Sequence, residues 1–270
     1  MPAGPGVVIA GPAPVRPGSG TKGCGALKDE TNRRARPGYH SARVPGVSHV
    51  PKPKSAAAPR KRSRDLDARA LAMLERYDCP MPFHAVCTYF LGAIAATGPV
   101  QPMKALARLW GGRLPAMPSI DAVNELLGVL ISGLWNALTV HQDPGHPYPL
   151  MAFPARTTRE RLACVAETRA EEIHGFLRGV FGDEASLEVP GSMGESLDAL
   201  MEVEGIFAGM QELLEDPAQP ATASDLKGLR AQVAELTAIA ERAMHAVVLD
   251  ARALRGQELA RDEKRGAVVH

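Results

Sequence analysis

Aromatic residues make up only 4% of this 270-residue chain, and its four cysteines, Cys24, Cys79, Cys87 and Cys164, never form a Cys-x-x-Cys pair. The first shortage argues against a sheet-rich fold, because aromatic and β-branched side chains are the ones that suit a pleated, half-buried surface. The second removes the usual zinc-ribbon and dithiol signatures. No Gly-x-Ser-x-Gly string offers a strained serine nucleophile. The glycines of residues 4–11 and 18–23 complete no phosphate-loop pattern and do not stand between a strand and a helix; both are read as part of a disordered arm. No apolar run reaches the roughly 18 residues of a membrane span, since Asn124, Glu125 and Asn136 bracket the longest one. Residues 6–15 are apolar but short, broken by prolines and not preceded by positive charge, so they do not read as a secretory segment. Together these shortages predict a soluble, cytoplasmic protein with free, buried thiols and no membrane contact. They assign no catalytic residue, metal ligand or cofactor.

What is present is alanine and leucine, within a hydrophobic share of 45%. Both residues lose little side-chain freedom in a helix, which sets the expectation of an all-α fold. The net charge of +1 hides an asymmetry. Residues 1–64 carry thirteen Lys and Arg against two acids, a net of +11, and residues 65–270 carry eighteen against twenty-eight, a net of −10. That first segment also holds ten prolines and nine glycines and shows no apolar period, so it reads as a disordered basic arm. Its end, residues 51–64, offers Lys52, Lys54, Arg60, Lys61, Arg62 and Arg64 as candidate contacts for the phosphates of nucleic acid.

From residue 65 onward, three- and four-residue apolar spacing predicts a bundle of six to seven helices with no strand. The first starts at Asp65 and stops before Pro80. The second, Phe83 to Thr97, is apolar on nearly every face, as befits a helix inside a bundle. A short helix follows from Pro102 to Trp110, and one capped by Ser119 runs from Ile120 to His141 and reads as the central helix. Gly128 and Gly133 within it mark close approach of a neighbour. The connection from His141 to Arg156 is long for a compact bundle, which points to function or mobility. Capping boxes at Thr157–Glu160 and Ser192–Glu195 open two more helices, and the last extends from Ser224 to about Arg261. Its residues Leu226, Leu229, Val233, Leu236, Ala240, Ala243, Val247 and Leu254 follow a heptad seam, interrupted by Asp250. That seam could serve the bundle or a homo-oligomer.

The string at residues 89–112, an apolar FLGAIA, a Gly-Pro turn, a second proline and then LxxLWGG, resembles the bacterial YecA-like helical proteins. Residues 126–142, LLGVLISGLWNALTVHQ, continue the likeness. The resemblance implies a helical fold and no assigned activity. The cysteine-rich metal motif that ends many such proteins is missing from residues 250–270, so no metal property is carried over.

Two Glu–His pairs, Glu171 with His174 and Glu241 with His245, invite comparison with di-iron carboxylate bundles. A helical wheel turns the second away from the heptad seam, so both are expected to be exposed polar pairs. His141 and His146, with His84, lack the third ligand and the geometry that a metal needs. Trp110, Gly111 and Gly112 could form a binding corner, or a helix end with left-handed glycine and a packed indole. The reading that follows is a non-enzymatic protein-interaction module with a protein partner or second copy on its C-terminal helix. The candidate binding surface is Trp110, Gly111, Gly112, His141 and His146. The alternatives are nonspecific nucleic-acid association through the arm and a metal-dependent enzyme.

Overall fold

The computed structural model describes residues 6–12, 58–98, 101–153 and 157–267. In chain order these hold strand β1 (Val7–Ala10), α1 (Ala58–Arg76), α2 (Phe83–Ile94), α3 (Pro102–Arg108), α4 (Ile120–Val129), α5 (Asn136–Leu138), α6 (Arg159–Phe181), β2 (Ser186–Val189), α7 (Gly191–Glu215) and α8 (Ala223–Ala267). The fold is mostly helical, as the composition predicts. A two-stranded antiparallel sheet, with Val7 opposite Val189 and Ala10 opposite Ser186, departs from the strand-free expectation. β1 also lies inside the stretch read as a disordered arm, and α1 begins at Ala58 rather than Asp65. Residues 1–5 and 13–57 of that arm, Lys52 and Lys54 among them, lie outside the described residues.

The apolar side chains divide into two clusters that meet at α2. Leu91 and Ala95 point into one, formed mainly by α6, α7 and α8 with Ile9 and Val189 of the sheet. Val86, Phe90 and Ile94 point into the other, with α1, α3 and the chain from Leu126 to Leu138. Ten of the twelve residues of α2 are buried, which is why it is apolar all round. This makes α2 the central helix, a place the sequence pattern had given to residues 120–141. That later helix buries one stripe only, leaving Ile120 and Val140 exposed. By length and composition alone, Ile120–Gln142 is the one described helix that could cross a membrane.

α2 reaches its central position through glycine. A methyl group on Gly175 of α6 would lie 2.5 Å from Ala85 O, and one on Gly179 would lie 2.6 Å from Ala93 N. On the facing helix, a methyl on Gly92 would overlap the backbone of Phe176. The two helices therefore meet backbone to backbone, closer than any side chain at these positions allows. Of the two glycines expected to mark close approach, Gly133 does so, with its missing Cβ 2.6 Å from Leu66 Cδ1, and Gly128 faces open space.

The chain after α4 widens into a π-helical segment, Leu130–Trp135, before α5 and a 3-10 turn at Thr139–Gln142. Its buried leucines, Leu126, Leu130, Leu134 and Leu138, recur every four residues. In a regular helix each such step drifts by about 40°, and the wider turn takes up that drift, holding the leucines on one stripe.

Helix starts follow side-chain capping where an acceptor is available. Ser119 Oγ accepts from Ala122 N at 3.2 Å, and Thr158, one residue beyond the expected Thr157, accepts from Arg161 N at 3.3 Å. The second expected capping box is not one: α7 starts after Pro190, and Ser192 Oγ donates to Asp250 Oδ2 at 3.0 Å. The polar break in the α8 seam thus has a partner on α7. The seam itself is spent inside the bundle, with Val233, Ala240 and Val247 buried in the same cluster as α6 and α7.

Gly179→Ala is expected to lower unfolding stability by about 3 kcal/mol or more, because the new methyl must push two backbones apart. Gly209→Ala, in the interior of α7 with nothing near its missing Cβ, should raise it by up to about 1 kcal/mol. Urea denaturation of the two variants checks both signs.

Candidate functional site

Trp110 is held by the residue that follows α1. Its Nε1 donates to Tyr77 O at 2.8 Å, and the half-buried indole packs within the α1–α5 cluster. Gly111 and Gly112 follow with φ of 73° and 99°, and Gly112 N donates to Ala107 O at 3.0 Å. Of the two expectations for these residues, the observed one is a left-handed glycine helix end over a packed ring. Arg64, in the candidate nucleic-acid group, is exposed on α1, and Arg60, Lys61 and Arg62 fall within the first turns of that helix.

His141 and His146 do come together. His141 Nδ1 lies 2.8 Å from His146 O, and its ring meets Tyr148 edge-on at 5.0 Å. Burial holds the His141 imidazole below its usual value, the hydrogen bond to His146 O opposes that, and the neighbouring His146 and His245 add to it. Asp143, hydrogen-bonded by Gly145 N at 2.8 Å, is held low. His245 on α8 places Nε2 3.3 Å from Pro144 O, while its buried Nδ1 meets no partner among the described residues. Among the described residues, no group of three or more His, Cys, Asp or Glu is placed to hold a metal.

The Glu–His pairs are not exposed helical pairs. His84 on α2 meets Glu171 on α6 at 2.7 Å, and His174 on α6 meets Glu204 on α7 at 2.8 Å. Glu241 accepts from Leu150 N at 2.9 Å. In each case the side chain ties its helix to a different element, which the wheel of one helix alone does not reveal.

The connection after His141 is strapped down by groups that pattern reading passed over. Arg169 and Glu172, 5% and 1% exposed, form an ion pair within α6. Glu172 Oε1 also accepts from Met151 N at 2.9 Å, and Arg169 donates to Met151 O and to Thr237 Oγ1 of α8, the latter at 3.1 Å. The Arg169 guanidinium lies over the Phe153 ring at 5.1 Å. Burial pushes the Glu172 carboxyl up, and Arg169 and the Met151 N–H pull it back. The signal was available: Arg169 falls between Leu162, Ala166, Ile173 and Phe176 on the buried stripe of α6, where a charge needs a partner. Arg159 likewise donates to the carbonyls of Leu213, Leu214, Asp216 and Gln219, capping the C-terminal end of α7 with positive charge.

Two surface depressions formed by the described residues bear on the site. One, of about 220 Å³, lies where Lys104 and Arg108 of α3 both engage Asp183 after α6, so its charges are already matched. The other, of about 680 Å³, runs between β1 and the stretch of α7 from Asp198 to Ala208. No sequence pattern pointed to it, because its two walls are almost 200 residues apart in the chain.

Cys79 and Cys87 are free, as expected, but Cys164 is disulfide-bonded. Burial pushes the Cys87 thiol up to about 12, and a hydrogen bond with Tyr148 opposes the rise. A thiol raised in the folded state from 9.0 stabilises fully below that pH and loses its contribution as pH climbs toward 12. Native protein should therefore alkylate at Cys79 well before Cys87 by site-resolved mass spectrometry. Stability should fall by a few kcal/mol across that alkaline window, and Cys87→Ala should flatten the fall.

Comparison of the chain with protein families, with curated proteins and with solved structures finds no match.

Proposed function

We propose that this chain is a non-enzymatic protein-interaction module, a helical scaffold that works by contact. The observation that carries the reading is the outer face of α7. Ile206 and Leu213, seven residues apart and so one above the other, are 42% and 48% exposed on that face. Isolated exposed apolar side chains are ordinary on a protein surface, whereas an aligned pair on one helix face is a surface that a partner can cover. The polar groups withdrawn from water support the same reading: Arg159, Arg169, Glu172, His84 and His174 are each engaged in holding elements together. The reading rests on this surface and not on the YecA-like resemblance. A homo-oligomer through α8 would have to use faces other than the heptad seam, which α6 and α7 occupy. The proposal does not depend on a cytoplasmic setting.

Quantitative affinity purification from the native source, with Ile206→Asp/Leu213→Asp and Met103→Asp as paired variants, tests the reading. Partners should drop about tenfold with the α7 double variant and persist with Met103→Asp, which alters an equally exposed residue elsewhere. Equal recovery by both variants and the wild type would reject it.

A second reading, association with nucleic acid, draws support from α1. Its first turns carry Arg60, Lys61, Arg62 and Arg64 in the sequence, with no acid in the first turn. Positive charge at a helix N-terminus opposes the macrodipole, and phosphate bound there would offset the cost. Replacing the four with glutamine should reduce the slope of log affinity against log salt for duplex DNA by roughly three to four. An unchanged slope would sink this reading.

A further inference from the structure

We infer that the groove between β1 and α7 binds an extended peptide strand carrying a basic side chain, which adds to the free edge of β1. This names the partner class within the interaction reading above and rests on it.

The register fixes which backbone groups are free. Gly11 N donates to Ala185 O at 2.8 Å, and the pairing continues through Ile9 opposite Leu187 and Val7 opposite Val189. In an antiparallel ladder, alternate residues exchange hydrogen bonds with the partner strand. Val7, Ile9 and Gly11 therefore face β2, and the N–H and C=O of Val8 and Ala10 point out of the other edge. Among the described residues β2 is the only strand that pairs with β1. Such an edge is a template for another chain.

This edge is held in place and furnished with a floor. Ile9, 5% exposed, anchors the strand against Gly194 and Val189. Beyond the edge lie Met201, Gly205 and Ala208 of α7. The eleven residues from Asp198 to Ala208 span about 15 Å of helix, the length of four or five residues of an extended chain. An added strand would hydrogen-bond to Val8 and Ala10 and set alternate side chains on the methionine, glycine and alanine of α7.

Charge selects the occupant. Asp198 is exposed and makes no hydrogen bond or ion pair among the described residues, and no Lys or Arg lines the groove. Glu204 is already engaged by His174. A lysine or arginine on the incoming strand would meet Asp198. A second copy of β1 brings no such group, because residues 1–15 contain no Lys or Arg. Nucleic acid is disfavoured by the same carboxylates.

The probe is a capped seven-residue peptide of alternating lysine and valine, titrated into the full chain by fluorescence anisotropy. Three comparisons accompany it: the same peptide N-methylated at alternate amides, a glutamate-for-lysine version, and the protein variant Asp198→Lys. The expected result is saturable binding that N-methylation and glutamate abolish and that Asp198→Lys weakens by roughly tenfold or more. Hydrogen exchange at the Val8 and Ala10 amides should slow on binding. Absence of binding, equal binding of the N-methylated peptide, or protection confined to other segments would overturn the inference. So would concentration-dependent protection of Val8 and Ala10 without peptide, which would assign the edge to a second copy. Native partners kept by Asp198→Lys and lost by Ile206→Asp/Leu213→Asp would overturn the groove while leaving the interaction reading intact.

Discussion

Everything in this fold is placed by the contact between the backbones of α2 and α6. Gly92 on one helix, with Gly175 and Gly179 on the other, removes the side chains that would keep the axes apart. Packed interiors have no slack to absorb a misplaced methyl group. Close approach also lets α2 serve two cores at once, turning Leu91 toward α6 and Phe90 toward Trp135, whose rings meet edge to face at 5.3 Å. If the helices stood further apart, neither cluster would close around α2.

With its axis fixed, α6 becomes the element from which the others are held. Glu171 reaches α2, His174 reaches α7, and Arg169 reaches α8 and the segment at Met151. Arg159, at the start of α6, closes the far end of α7. A buried ion pair such as Arg169–Glu172 adds little net stability over an apolar pair of equal volume, since desolvation offsets the attraction. Its value here is positional. The carboxylate and guanidinium between them satisfy both the N–H and the C=O of Met151, so an irregular segment can lie on the bundle without orphaned backbone groups.

Reading the sequence recovered what depends on one helix at a time. The apolar circumference of Phe83–Ile94 announced a fully enclosed helix, Ser119 announced the cap of α4, and the Trp110-Gly111-Gly112 string offered a glycine stop as one of two readings. It failed where two elements must be known together. Gly175 and Gly179 are unremarkable until α2 is laid against them, and Gly128 resembles Gly133 until Leu66 is found over only one of them. The Glu–His pairs looked exposed because the wheel of α6 carries no information about His84 or Glu204. Val7–Ala10 was invisible for the strongest form of the same reason: four residues make no strand without Ser186–Val189 beside them.

That last failure bears on where function resides. An isolated two-stranded ribbon is marginal in water, and β1 has one buried side chain, Ile9, and one short ladder to keep it in place. The interior elements are fixed many times over, by glycine contacts, by ion pairs and by apolar burial, which leaves them little freedom to respond to another molecule. β1 is fixed just well enough to present an ordered edge, and any chain that pairs with that edge adds hydrogen bonds that the strand itself lacks. Binding and ordering of β1 would then reinforce each other, and the coupling would run through Ile9 to Gly194 and the first turn of α7. The part of the molecule least determined by its own packing is thus the part whose structure a partner can most strengthen.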